Sequence, residues 1–249
     1  GALKCLLPRL LDLGKSRGWN NATLAAWQQM LSALPDLPRG SLHYESESKR
    51  PILEKSDLLA PAASLENIDP PNPINHQHTE LFSIWPGKLV LRDPREHDLA
   101  VRSYHARQNQ HWTSGWCLDV AFAACLGLRE DVSRWWRFHF DITFSFPCGL
   151  AQEASPKQGD RESITISPSM QGLGTGVIPV LEMLMTDYPD LLVILPCWDP
   201  KVAVRFSLFS PYAGKVTVDY TPARGARVHT ERAIRLEFGV GIKPAINAG

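Results

Sequence analysis

Two histidines are the first candidates for binding a metal ion or a polar ligand. His76 and His78 are separated by one residue. On a strand their side chains face opposite sides, and on a helix they diverge, so either conformation disfavours a shared metal ion and favours separate contacts to a polar ligand. The cysteines Cys5, Cys117, Cys125, Cys148 and Cys197 are widely spread and include no Cys-x-x-Cys pair. Zinc and dithiol redox sites require closer spacing, so we predict no metal site and no cofactor.

A run of alternating glycines raises the possibility of nucleotide binding. Gly172, Gly174 and Gly176 lie in the sequence MQGLGTGVIP. A dinucleotide fold needs a hydrophobic strand before such a run and an acidic residue after a second strand. Neither feature is found here. We therefore interpret the glycines as positions that allow close helix packing.

Composition excludes two classes of partner. The 249 residues include 26 basic and 26 acidic side chains, so the formal net charge is zero. No overall field attracts the chain to nucleic acid or to an anionic membrane. The longest apolar run, around 191–195, is far shorter than the roughly 20 residues of a transmembrane helix. We predict no nucleic-acid partner and no membrane span.

The predicted secondary structure changes from helices to strands near residue 190. Apolar residues at helical spacing predict helices at 2–15, 21–33, 79–85, from 93, and at 115–126, 129–141 and 177–187. Asn20 or Asn21 is a predicted N-cap, and Asp93 followed by Pro94 predicts another helix start. The segment 35–75 is rich in proline and is predicted to be a long surface loop, as is 148–168. Alternating residues predict strands at 192–195, 202–206, 215–220 and 234–238.

Four segments together resemble glycoside hydrolase family 95, the inverting α-L-fucosidases and related enzymes. The first is HQHTELFSIWPG at 76–87, and the second is WTSGWCLD at 112–119 with Leu126-Gly127. The third is QGLG at 171–174 with Glu182-Met183-Leu184, and the fourth is LPCW at 195–198. They occur in the order and with the spacing found in the family. Each segment alone is unspecific, but the four together indicate this family.

The resemblance implies a mostly α fold. We expect the C-terminal portion of an (α/α)6 toroid, as in six-hairpin glycosidases, followed by a small all-β domain. The expected domains are 1–190, a partial catalytic-type toroid, and 191–249, the β domain. Too few helical segments are present for a whole toroid. The helices therefore form either the second half of a barrel or a self-sufficient helical array.

The resemblance also implies partners and a location. The expected ligand is an oligosaccharide substrate. The expected protein partner is either a missing N-terminal half of the barrel or a second copy of the chain. The chain begins at Gly1 in a helix-like run, from which we expect processing or truncation upstream. Localisation is not encoded in the residues themselves, and the family implies secretion or a periplasmic location.

The expected chemistry is hydrolysis of a glycosidic bond with inversion. This needs an acid and a base about 6.5–9.5 Å apart on opposite sides of the sugar. By resemblance Glu66, ten residues before His76, is the general acid. The aspartate that is the family's general base corresponds to Gln171, or to Met170 if the alignment shifts by one residue, and neither side chain can accept a proton at neutral pH. Either Glu153 or Asp119 is then the base.

The same resemblance implies which residues contact the sugar. His76, His78 and Gln171 would hydrogen-bond hydroxyl groups, and Trp112 and Trp116 would stack on sugar rings. The substitution at Gln171 leaves a second interpretation open. In that interpretation the chain is a non-catalytic carbohydrate-binding or structural remnant that lacks the general base.

Overall fold

The computed structural model of the chain describes residues 2–44, 51–61, 64, 78–106, 117–143, 151–152 and 168–245. It divides into two compact units, Gly1–Gln110 and His111–Gly249. The second unit includes both sides of residue 190, near which helical sequence gives way to strands. A division there into a catalytic-type domain and a β domain stays a prediction.

The first unit combines helices with a β-hairpin. Its elements are α1 (Ala2–Ser16), α2 (Asn21–Ala33), β1 (Arg39–Tyr44), β2 (Pro51–Leu59), a 3₁₀ helix (Thr79–Ser83) and α3 (Pro94–Ala106). The helices α1 and α2 form a hairpin, as their apolar spacing predicts. Asn20 caps α2, since its side-chain oxygen accepts a hydrogen bond from the Ala22 N–H at 2.8 Å. Asp93 caps α3 by accepting from the N–H groups of Arg95 and Glu96, which confirms the predicted start.

The prediction of a continuous loop at 35–75 is wrong for its described residues. Strands β1 and β2 pair antiparallel, with a register shift between Arg39 and Ser41. Pro51 occupies the first position of β2, where a strand tolerates the missing N–H group. The hairpin is fixed to α3 by a hydrogen bond of 2.8 Å from the Leu59 N–H to the Ser103 hydroxyl. The pairing of β1 with β2 stabilises an extended conformation here, although the composition is typical of a loop.

The second unit has helices followed by two small sheets. Its elements are α4 (Asp119–Cys125), α5 (Arg129–Thr143), β3 (Ala151–Gln152), β4 (Pro168–Ser169), α6 (Met170–Leu184), β5 (Met185–Tyr188), β6 (Leu191–Ile194), β7 (Val204–Ser210), β8 (Gly214–Thr221), β9 (Gly225–Thr230) and β10 (Arg235–Phe238). The short strands β3 and β4 pair with each other. The predicted helix from residue 177 begins earlier, at Met170, and ends at Leu184, where the chain enters β5.

Two three-stranded sheets enclose the apolar core of the C-terminal part. Strand β6 lies between β5, which is antiparallel to it, and β10, which is parallel. Strands β7, β8 and β9 form an antiparallel meander. The fully buried side chains Leu192, Ile194, Leu195, Val216 and Val218 belong to one shared cluster. The four strands predicted after residue 190 are present, and β5 and β9 were not predicted.

The predicted fold class is wrong. Helices account for about 43% of the described residues and strands for 26%, so the chain is not a mostly α toroid followed by a small β domain. In a toroid, successive helices pack on one another. Here a β-hairpin follows α2, and α3 packs against β2. Among the described helices, none has the length and apolar character required to cross a bilayer.

Candidate functional site

The helices α4, α5 and α6 pack together in the second unit. Two contacts show where the C-terminal ends of α4 and α6 lie. A Cβ atom on Gly127, just after α4, would lie 4.0 Å from the carbonyl oxygen of Pro196. The neighbouring Leu195 N–H donates to the carbonyl of Leu184, the last residue of α6, at 2.8 Å. The C-terminal ends of α4 and α6 therefore lie beside the same short segment, and α5 starts there.

One hydrogen bond joins α5 to α6. The indole N–H of Trp136 donates to the Gly176 carbonyl at 3.0 Å. Asp119 begins α4, which packs against both of these helices.

Asp119 is the most unusual residue of this helix cluster because it is only 2% exposed. It is the first residue of α4, where the helix dipole favours negative charge. Burying a carboxyl group without polar partners costs several kcal/mol, and Asp119 does have polar or electrostatic interactions. Asp119 is thus a charge at a helix terminus that is buried rather than exposed to water.

Helix α6 carries polar groups on its buried face. The Thr175 hydroxyl is buried and donates to the Gly172 carbonyl at 3.0 Å. Pro179 lies four residues after Thr175 and has no N–H group, so the helix loses one backbone hydrogen bond there. Trp136 contacts the next carbonyl along, that of Gly176. Helix α6 therefore carries a buried hydroxyl group and a backbone carbonyl that accepts from a neighbouring helix.

A second buried carboxyl group lies on α6. Glu182 is 8% exposed and also has polar or electrostatic partners. It lies seven residues after Thr175, on the same buried face. Glu182 lies two residues before the C-terminal end of α6.

Sequence reasoning did not select Glu182 as a functional residue. The segment EML was noticed only as part of a motif. The available signal was its spacing from Thr175, because two polar residues seven positions apart on an apolar helix face share one buried side.

His78 is the only predicted sugar-binding residue of the first unit whose side chain is described. Its Nδ1 lies 3.0 Å from a carboxylate oxygen of Glu80, and both side chains are largely buried. Because His78 and Asp119 belong to different units, no shared site is assigned to them. This histidine is held by its own neighbour at the start of the 3₁₀ helix.

Several predicted site residues fall outside the described part of the chain. They are Glu66, His76, Trp112, Trp116 and Glu153. Gln171 lies in the first turn of α6, but its side chain is also outside the described residues. The roles assigned to these residues stay predictions. Of the candidate bases, Asp119 alone has a described environment.

Two of the described cysteines, Cys5 and Cys197, are poor candidates for a nucleophile. Cys197 is buried and Cys5 is half-buried. Burial raises the pKa of Cys197 to about 11, although the charge of Arg129 partly opposes the shift. Burial also raises the pKa of Cys5. Because the thiolate is the reactive form, both groups are poor nucleophiles at neutral pH. Within the described residues, no group of three His, Cys, Asp or Glu side chains converges on a metal position.

Comparison with known proteins does not assign a family. No protein-family model matches the chain, and no curated protein matches it significantly. The functional assignment therefore depends on the residues themselves.

Proposed function

We propose that the chain is a glycoside hydrolase-like protein that acts on α-L-fucosides or related α-L-sugars in oligosaccharides, by hydrolysis with inversion. Asp119 is the proposed general base. Glu66 as the general acid stays a prediction from the resemblance, and no shared site is assigned to the two residues because they belong to different units. The observation that carries the proposal is the burial of the Asp119 carboxyl group at the start of α4, which packs against α5 and α6. The proposal requires no toroid.

The proposed reaction is a single displacement. The base takes a proton from a water molecule as that water attacks the anomeric carbon, and the acid protonates the glycosidic oxygen as the C–O bond breaks. A base is effective when it is held in place and shielded from bulk water, since electrostatic interactions strengthen at low dielectric. The burial of Asp119 supports this role.

A second function has one specific observation in its favour. Gln171 occupies the position of the aspartate in the family's motif, and an amide cannot take a proton from water. The alternative is a carbohydrate-binding or structural remnant without catalysis. Association with a second copy or with a missing N-terminal half stays a prediction under either function.

The variant Gln171→Asp separates these two functions. If Asp119 is the base, we expect Gln171→Asp to change the turnover of an aryl α-L-fucoside by less than about threefold. If the site has lost its base at Gln171, the same variant should raise turnover by about 10²-fold or more, the scale of general base catalysis. The matched control is Gln171→Asn, which alters the same helix position without adding a carboxyl group.

Binding measured in parallel completes the test. Calorimetry with an α-L-fuco-oligosaccharide should show binding to the unaltered chain. Binding without turnover in the unaltered chain, with turnover gained in Gln171→Asp, would favour the non-catalytic remnant. Absence of both binding and turnover at millimolar sugar would reject both functions and favour a scaffold role.

A further inference from the structure

The β7–β8–β9 sheet has two chemically distinct faces. Side chains alternate along each strand, and one set is buried in the apolar core. Val216, Val218 and Tyr220 of the central strand belong to that core and are almost fully buried. The other set points away from the core. We call this second surface the polar sheet face.

One end of the polar sheet face carries a group of arginines around a single carboxylate. Arg205 of β7 and Arg227 of β9 are each paired in register with Asp219 of β8. Directly opposed residues have Cβ atoms about 4.5–5.5 Å apart. Arg224 adds a third guanidinium, 4.0 Å from Asp219. The group has more positive than negative charge, and its arginines are exposed.

Two of these arginines have unused hydrogen-bonding capacity. Within the described residues, neither Arg205 nor Arg227 takes part in an ion pair. A guanidinium presents several N–H donors in a planar fork that matches a carboxylate or a sulfate ester. Asp219 lies between them and offsets only one of the three positive charges, so the group keeps a net positive charge that attracts an anion to the exposed guanidinium groups.

The rest of the polar sheet face carries hydroxyl, imidazole and aromatic groups. In the next row, the Ser207 and Thr217 hydroxyl oxygens are 3.3 Å apart, and His229 is opposite Thr217. In the third row, Phe209 lies opposite Lys215 and is 72% exposed. Rows two residues apart are about 7 Å from each other along a strand. Arginines and the phenyl ring are thus about 13 Å apart, with hydroxyl groups between them.

We propose that the polar sheet face binds an oligosaccharide that carries oxyanionic groups, either sulfate esters or carboxylates. The arginines would bind the oxyanion, the hydroxyls and His229 would bind sugar hydroxyls, and Phe209 would pack against the apolar face of a ring. The choice of a sugar as the ligand rests on the proposed function. The preference for an anion rests on the arginines alone.

The test is calorimetry on the full chain with three matched probes. They are a sulfated α-L-fuco-oligosaccharide, the same oligosaccharide after desulfation, and an oligogalacturonate. We expect the charged probes to bind at least about tenfold more tightly than the desulfated one at low salt, with the advantage reduced at high ionic strength. Comparison of the first and third probes distinguishes sulfate from carboxylate.

Substitutions on the sheet locate the site. Arg205→Gln with Arg227→Gln should weaken binding of the charged probe by about tenfold or more, and Phe209→Ala by about fivefold. Arg235→Gln is the matched control, because Arg235 is an exposed strand arginine in the other sheet, paired with Glu237. It should leave binding unchanged. Circular dichroism should show the same fold for all variants.

Specific outcomes would overturn the proposal. Equal affinity for sulfated and desulfated probes, or an unchanged affinity in the double arginine variant, would exclude the polar sheet face as the binding site for an anionic sugar. Single-stranded DNA bound as tightly as the sugar, with no effect of Phe209→Ala, would show non-specific polyanion binding instead. Loss of this site with retained fucoside hydrolysis would leave the proposed function intact. Conversely, binding of the charged probe to the polar sheet face without any fucoside hydrolysis would support this site and reject the proposed function.

Discussion

Replacing Asp119 with Asn should lower the turnover number for aryl α-L-fucosides by about 10²–10⁴-fold, the usual contribution of general acid–base catalysis. Asparagine has nearly the same shape but cannot accept the proton of the attacking water. Since the substrate would still be bound, we expect the dissociation constant for an α-L-fuco-oligosaccharide to change little. A loss in turnover at constant affinity is the signature of an interaction made in the transition state.

The control for this experiment is Asp131→Asn in the first turn of α5. It removes a helix-terminal carboxylate whose side chain is less buried than that of Asp119. We expect it to leave turnover unchanged. A thermal unfolding midpoint within a few degrees of the unaltered chain would show that Asp119→Asn remains folded. If Asp119→Asn retains full turnover, Asp119 is not the base and Glu153 becomes the candidate.

Replacing Gly239 with Ala should destabilise the second unit by about 3 kcal/mol or more, which is at the upper end of overpacking effects. A Cβ atom at Gly239 would overlap the carbonyl oxygen of Leu195 and would lie 2.8 Å from its carbonyl carbon. These are backbone atoms, so no side-chain rotation can relieve the overlap. Displacing them would also break the hydrogen bond of 3.0 Å from the Gly239 N–H to the Ile194 carbonyl.

The matched control is the same substitution in α6. A Cβ atom at Gly174 would meet nothing within 4 Å, and alanine favours a helix over glycine by about 0.5–1 kcal/mol. Gly174→Ala should therefore stabilise the chain slightly. Denaturant unfolding followed by circular dichroism measures both variants. Similar stability for Gly239→Ala and the unaltered chain would show that the Leu195 segment is not packed as described.

The elements predicted correctly are those with local signals. Asn20 and Asp93 cap their helices through contacts with N–H groups two or three residues away, so short sequences are sufficient to identify them. In β8, buried and more exposed residues alternate over its length. That alternation is visible in Lys215–Tyr220 without any knowledge of the partner strands.

The elements that were missed depend on distant partners. Strand β9 includes only one large apolar residue, Val228, and its conformation is set by pairing with β8. Strand β5 was predicted to continue the preceding helix, but it pairs with β6 over Met185–Tyr188. The β1–β2 hairpin contains a register shift, which interrupts the simple alternation on which a sequence prediction depends.

The candidate site was only partly predictable for a similar reason. Asp119 was selected as a potential base, but its burial arises from the packing of α4 against α6. Nothing in the neighbouring residues distinguishes it from an exposed carboxylate at a helix start. The polar sheet face was also missed, because Arg205 and Arg227 lie far apart in sequence and are brought together only by the central strand.

The most direct test of the proposed function is the configuration of the first sugar released by the full chain. Proton NMR of an α-L-fucoside during early turnover distinguishes the two anomers before they equilibrate in solution. The proposal predicts that β-L-fucose appears first, because water attacks opposite the leaving group. Initial release of α-L-fucose, or no hydrolysis of any α-L-fucoside, would contradict it.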